Sequence, residues 1–290
     1  FDGYMSEIVF IDGLALDPTS FGEFNSDSGI WIPKTITGLT YGTNGFYLPF
    51  QNSAALGQDD SGEGNNFTVN NLTSIDQSTD TPSNNFATWN TLDISTTISL
   101  AEGNTEISGS SPEQGRATLG ASTGKWYWEY KINYTPTALK PYAIGVCTNT
   151  GFPATSDSPD LRTIEAYNSA WNTDTSVNNM ESYEDGTRTT LSCNLSYPGN
   201  GDIINVALDL DNGKIWFGKN GTYLQDSGGT TGNPGAGTNP TDSFTNNGEF
   251  YFPAIMKRGS TSVDSILLNT GNPSFAISSG NADGNGYGNF

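Results

Sequence analysis

Between Gly201 and Leu224 the chain reads GDIINVALDLDNGKIWFGKNGTYL. Ile204, Val206, Leu208 and Leu210 alternate with Ile203, Asn205, Ala207 and Asp209. A period of two marks a strand with one face buried. Asn212-Gly213 then supplies residues that tolerate positive φ, as a tight hairpin needs. Lys214 to Lys219 returns with Ile215 and Phe217 on one face, and Asn220-Gly221 turns the chain again into Thr222-Tyr223-Leu224. The pattern predicts a three-stranded antiparallel meander.

The same alternation recurs from Lys125 to Tyr134. Trp126, Trp128, Tyr130 and Ile132 fall on one side, and Lys125, Tyr127, Glu129 and Lys131 on the other. PYAIGVCT and FYFPAI are further strand-like runs. Near the start, GYMSEIVFIDG and GFYLPF read as strands, and Asp17-Pro18 forms a cap and first-turn pair for a short helix. No amphipathic helix longer than two turns is predicted, and no strong internal repeat is present. Residues 51–91 are rich in Asn, Ser, Asp and Thr and are expected to be a linker between a partial N-terminal segment (1–50) and a larger β domain (92–290). Phe1 opens directly into a strand pattern, and the tail SGNADGNGYGNF is loop-like. The chain is therefore expected to be cut from a longer one, with a last strand beyond Phe290.

Composition narrows the chemistry. Eleven Lys and Arg against 31 Asp and Glu give a net charge of −20, which disfavours binding by phosphate neutralisation and hence nucleic-acid partners. There is no histidine, so Ser-His-Asp and Cys-His catalysis and His-containing metal sites are excluded. Two cysteines cannot build a Cys-rich zinc site. Cys147 lies in a strand-like run and is expected to be a small buried thiol; the alternative is a Cys147–Cys193 disulfide. No run approaches the roughly 20 apolar residues of a membrane helix, so no membrane insertion is expected.

At this point the residues resemble a known family. GKWYWEYKI (124–132), AIGVCT (143–148), SYEDG (182–186), GDIINVALDLDNGKIWFGKNG (201–221), FYFPAI (250–255) and SILLNTGNPSFAI (265–277) look like the successive strands of a SPRY domain. The resemblance covers about 92–290. It implies an all-β, antiparallel β-sandwich of the concanavalin-A-like jelly-roll type, whose loops bind partners and which is not an enzyme. DGYMSEIVFIDGLALDPTSFGEF and GFYLPF are similar to pieces of a laminin-G-like segment, too short here for a whole sandwich. The combination is similar to large structural proteins of marine bacteriophages. It implies a virion fibre or decoration protein, extracellular in localisation. Its implied partners are other virion proteins, further copies of itself, and a host-surface glycan or protein. A bacterial or eukaryotic adhesion module and a glycan-cleaving enzyme are the alternatives.

Four aromatic residues are the candidate ligand-binding set: Tyr167, Trp171, Tyr183 and Tyr197. They lie in the long connection Asn149–Pro198 among Asn, Ser and Thr, a mixture suited to stacking on sugars and adaptable hydrogen bonding. The stretch Ser227–Asn247 is a second candidate, with Phe244 as its anchor. Trp126, Trp128 and Trp216 are expected in core or sheet-face packing. Asp209, Asp211 and Gly213 hint at a calcium loop, but Lys214 and Asn220 stand where the EF-hand spacing needs Gly and Glu. A turn whose Asp and Asn side chains satisfy local N–H groups is the expectation. Asp59, Asp60, Glu63 and Asn65 also offer oxygen ligands, and a solvated loop is expected there. Glu181, Glu184 and Asp185 should surround a turn. The sequons at Asn66, Asn71, Asn133, Asn194 and Asn220 match chance in a chain this rich in Asn and Thr. No cofactor and no metal are expected.

Overall fold

A computed structural model describes all residues except 1–4, 25, 27–28, 30, 78–84, 96, 110–112, 134–141, 149–167, 173–178, 185–186, 193–198, 226–228, 258–263, 278–279, 283 and 285–287. The chain divides into two units, Phe1–Asn85 and Phe86–Phe290.

The first unit holds β1 (Ile8–Phe10), β2 (Gly22–Phe24), β3 (Trp31–Pro33) and β4 (Phe46–Leu48). β1 pairs with β4 and β2 with β3, both antiparallel. The predicted cap is present. The Asp17 side chain accepts from Thr19 N–H (2.9 Å), and Pro18–Ser20 forms a single 3-10 turn. Residues 51–77, expected in the linker, fold onto this unit. Asp60 N–H donates to Tyr47 O (2.8 Å), and Gln77 Nε2 reaches Phe50 O (2.6 Å).

The second unit begins with β5 (Trp89–Ile94), β6 (Ser99–Ala101), β7 (Glu106–Gly109) and β8 (Glu113–Ala117). Next come β9 (Lys125–Asn133), β10 (Tyr142–Thr148), β11 (Asn168–Asn172), β12 (Asn179–Glu184) and β13 (Thr187–Ser192). It closes with β14 (Ile203–Asp209), β15 (Lys214–Lys219), β16 (Thr222–Tyr223), β17 (Asp242–Ser243), β18 (Tyr251–Lys257) and β19 (Asp264–Asn269). One sheet has seven strands in the order β13-β12-β11-β10-β18-β8-β5. The other has eight, β16-β15-β14-β9-β19-β7-β6, with β17 on β15. Trp89, expected in the linker, is fully buried in the core of this unit.

The core lies between the two sheets and follows the alternation. Ile204, Val206, Leu208 and Leu210 are buried with Ile215 and Phe217, and they meet Ile144, Val146 and Ile255 of the other sheet. Trp128, Tyr130 and Ile132 complete the row on β9. The Tyr130 hydroxyl lies 3.0 Å from Gly145 O and 3.2 Å from Ala254 O, so its single proton is shared between two carbonyls of the facing sheet. Burial raises the Tyr130 phenol above its ordinary range, which keeps that proton in place. Trp126 departs from the expectation. It heads the core-facing row, yet it is 52% exposed, because β9 begins at the rim of the sandwich and the indole N–H turns back to Thr123 O (2.7 Å).

The two Asn-Gly turns differ. Asn220 (φ 50°) and Gly221 (φ 81°) are both left-handed, as a two-residue hairpin requires. The first loop is longer, spanning residues 210–213, with only Gly213 (φ 60°) in the left-handed region. A side chain on Gly213 would also lie 2.0 Å from Phe244 O, so this position excludes every other residue.

Candidate functional site

Register assembles one end of the second unit. Thr148 pairs with Tyr251, Asn168 with Cys147, Tyr183 with Asn168, and Glu184 with Thr187. Ala121 bridges Tyr251, and Lys125 pairs with Asp209. The C-terminal ends of β8, β10, β12 and β14 therefore share one end of the unit with the start of β18.

Polar side chains bind these loops together. Asp211 Oδ1 accepts from Gly124 N–H (2.7 Å). Asn246 Nδ2 lies 2.9 Å from both Ser122 O and Leu210 O. Asp209 accepts from Asn212 N–H (3.0 Å) and Asn212 Nδ2 (2.9 Å), and Lys125 Nζ stands 3.6 Å away. Burial opposes the Asp209 charge, but the Asn212 hydrogen bonds and the Lys125 ammonium hold its carboxyl below the usual range. Asp209 thus serves its own turn, as expected, whereas Asp211 clamps a loop distant in sequence.

On this clamped frame stand Leu119, Trp126 and Phe250, each about half exposed. Sequence reasoning missed all three. The signal that finds them is registry: Phe250 and Leu119 flank the Ala121–Tyr251 bridge, and Trp126 lies one residue past the sandwich rim. These half-exposed apolar side chains, Trp126 at the start of β9 and Leu119 and Phe250 on connections, stand where little backbone reorganisation would be needed for contact.

Of the four predicted aromatic residues, two lie within described strands. Trp171 lies within β11, opposite Ile144 and Met180, and Tyr183 lies within β12, opposite Asn168 and Arg188. The connection expected as a loop therefore contributes three strands, β11 to β13, at one edge of the seven-stranded sheet. Tyr167 and Tyr197 lie outside the described residues. Phe244 is no surface anchor, because it is buried and packs on Tyr251 with ring centroids 5.4 Å apart. Its stretch covers Trp216 instead, whose indole N–H donates to Thr238 O (3.0 Å). Glu184 pairs with Thr187 and Glu181 with Thr190 within the β12–β13 ladder, and Asp185 lies outside the described residues. Cys147 is a free thiol, and burial pushes its pKa up.

The acidic loop of the first unit is exposed at Asp60 and Glu63, as expected, but not at Asp59. Asp59 is buried and accepts four hydrogen bonds: from Tyr47 N–H (2.9 Å), Ser61 N–H (2.9 Å), Ser61 Oγ (2.9 Å) and Asn65 N–H (2.8 Å). Burial alone would raise its pKa, but these donors outweigh it and hold the carboxyl at about 2. Among the described residues no cluster of three or more acidic, Cys or His residues could hold a metal ion. Three of the sequon asparagines already do structural work: Asn66 accepts from Asp59 N–H, Asn133 donates to Ser265, and Asn220 donates to Asp202.

The fold is an antiparallel β-sandwich, and residues 125–256 match the SPRY domain family. The match spans β9 to the penultimate residue of β18 in the second unit. Similar solved structures include the SPRY domain of human HERC1, at 18% identity over 62% of this chain and 96% of that one, with a TM-score of 0.43. The TRIM65 PSpry domain is 14% identical over 63% and 91%, with a TM-score of 0.42. Stonustoxin is 18% identical over 63% of this chain and 27% of its own, with a TM-score of 0.41. No curated protein matches the chain.

Proposed function

We propose that the second unit is a non-enzymatic module that binds a protein partner through the clamped loop end carrying Leu119, Trp126 and Phe250. The observation that supports this reading is the pairing of half-exposed apolar side chains with loops held by Asp211 and Asn246. Interface cores favour aromatic anchors on a surface that need not reorganise. The net charge of −20 steers the partner away from anionic surfaces and toward a neutral or basic one.

The wider setting we infer is a virion fibre or decoration protein that presents this end to a host-surface protein or glycan. It rests on the likeness of the N-terminal segment and linker composition to phage structural proteins. A photo-crosslinking residue placed at position 250, and at exposed Leu92 as a control, tests the surface in purified particles and on host cells. Crosslinks from 250 to a protein, absent from 92, are expected. Equal labelling from both positions sinks the assignment, and binding abolished by periodate treatment of the cells would make the receptor a glycan.

A further inference from the structure

The two sheets of the second unit have four edges, and an edge strand offers unpaired main-chain groups to any other strand. Three of the four edges are blunted. β6 has three residues, and β16 and β17, which share the opposite edge of the eight-stranded sheet, have two each. β5 is longer, but its register with β8 shifts between Trp89 and Ile94, and Asn90 Oδ1 already accepts from the Leu92 N–H (3.0 Å). An irregular edge with an occupied donor does not extend a ladder.

β13 is the fourth edge and carries none of these devices. It ends the seven-stranded sheet, and among the described residues no strand pairs with its other side. All six of its residues pair with β12 without a shift, from Glu184 with Thr187 to Asn179 with Ser192. Its sequence, TRTTLS, holds three β-branched threonines and no Gly, Pro or Lys. It also holds no Asp or Glu, in a chain that has 31 of them. The edge is therefore regular, strand-favouring and free of the charge that would repel another copy of this acidic chain.

The strand is also complementary to itself. When two copies of β13 pair antiparallel about a two-fold axis at Thr189, Thr189 meets itself, Thr187 meets Leu191 and Arg188 meets Thr190. No like charges stand directly opposite, an arrangement that would be destabilising. Thr190 pairs with Glu181 on β12. Arg188 of one copy consequently falls in the same cross-strand row as Glu181 of the other, two strand spacings or about 10 Å away. The row occurs twice in the pair. An axis at Thr190 would instead put Arg188 in a row with Ser192 and Asn179, and both Arg–Glu rows would be lost. Charge thus favours the Thr189 register and a second copy as the occupant.

We propose that β13 is a dimer interface at which two copies of the chain join their seven-stranded sheets edge to edge, antiparallel, with Thr189 on the two-fold axis. The pairing uses a strand edge and none of Leu119, Trp126 and Phe250, so it does not depend on how the loop end is used.

The test uses the 290-residue chain with Cys193→Ser, which leaves the buried Cys147 as its other cysteine. Thr189→Cys in this chain should form an intermolecular disulfide under mild oxidation. Directly opposite Cα atoms lie about 4.5–5.5 Å apart, within the range that a disulfide spans. Thr187→Cys should not crosslink, because the axis sets the two positions four residues apart. In sedimentation the unaltered chain should pass from monomer to dimer as its concentration rises. Thr190→Lys sets a like charge opposite Arg188 at two places and should weaken the dimer about tenfold or more. Adding Arg188→Glu makes that pair attractive and should restore the dimer, a recovery that a folding defect would not show. A chain that stays monomeric at every concentration overturns the interface. So does equal crosslinking from positions 187 and 189, or a dimer indifferent to Thr190→Lys.

Discussion

The two units solve the same problem, holding short strands in place, by different means. The second unit buries one large apolar layer between two sheets, with Trp89, Trp128, Phe217, Ile144 and Val146 of β10, and Ile204 and Val206 of β14 inside it. In the first unit the buried hydrophobic residues among those described are Tyr41, Leu48 and Leu56. Polar side chains reach across the chain there instead. Besides the four hydrogen bonds to Asp59, Asn65 Nδ2 bonds Thr43 O and Gly45 O, and Asp12 accepts from both Asn44 N–H and its side chain. Small units bury too little surface to be held by a core alone. A unit of 85 residues, with four three-residue strands among its described residues, compensates with hydrogen bonds between segments distant in sequence. Its apolar residues consequently remain outside: Phe10, Phe24, Trp31 and Phe67 are all exposed.

The comparison breaks most sharply at Phe217. This side chain is fully buried at the centre of β15. Phe217→Ala should cost about 3–5 kcal/mol through lost burial and the cavity left behind. In calorimetry the second unit's transition should fall by well over 5 °C. A loss below about 1 kcal/mol would show that the two sheets do not share a rigid core there.

The first unit should instead be broken by acid. Asp59 has a folded-state pKa of about 2, below the roughly 3.9 of an unfolded aspartate. A depressed carboxylate contributes stability that is present above the unfolded value and is lost as pH falls through the folded one. The first unit should therefore weaken between about pH 4 and pH 2, by on the order of 1–2 kcal/mol once solvent screening is allowed for. Asp59→Asn should give the same loss at neutral pH and abolish that part of the acid response. Tyr47 fluorescence, followed against pH in both forms, reads the change. An unaltered acid profile in the variant would remove Asp59 as the organiser.

Much of the second unit was legible because strand alternation is a local signal. Val206, Leu208 and Phe217 were placed in the core from period two alone, and the turn role of Asp209 followed from failed metal-loop spacing. The polar stitching was not legible. Nothing near Asp59 announces that its partners are Tyr47, Ser61 and Asn65, so composition made residues 51–91 look like a linker. The same limit hid Trp89, which sits in a polar stretch, and the cross-strand row Asn205–Glu129–Asn269, whose members are 64 or more residues apart and meet only through pairing. Phe244 misled in the opposite direction. An aromatic residue in a Gly/Asn-rich stretch looks like a surface anchor, and here it fills the core beneath Gly213.

A smaller effect tests how the sheets are joined. The Tyr130 hydroxyl is the polar link from β9 to carbonyls of β10 and β18. Tyr130→Phe keeps the ring and its stacking on Trp89, at 6.2 Å between centroids, and leaves two buried carbonyls without this donor. The expected loss is about 1–2 kcal/mol. Chemical denaturation should show a lower midpoint with an unchanged slope, since the exposed surface is the same. A variant as stable as the parent would mean that apolar packing alone fixes the spacing of the sheets.

The smallest effect on stability should come from the loop end, and there the contrast with Phe217 is most useful. Both residues are phenylalanines in the same unit, but Phe250 is 52% exposed and Phe217 is fully buried. Phe250 precedes β18 by one residue, so replacing its side chain leaves the Ala121–Tyr251 bridge and the Asn246 clamp untouched. Phe250→Ser should therefore change stability by less than about 1 kcal/mol, within the usual range for surface positions. If the loop end is the contact surface, partner affinity should nonetheless fall by about tenfold or more, because a truncated aromatic anchor costs more in an interface than on a free surface. Melting temperature and affinity measured on the same preparation separate the two readings. Lost stability with unchanged affinity would make Phe250 a rim residue of the core. Unchanged stability with lost affinity would fix the interaction surface to this end of the sandwich.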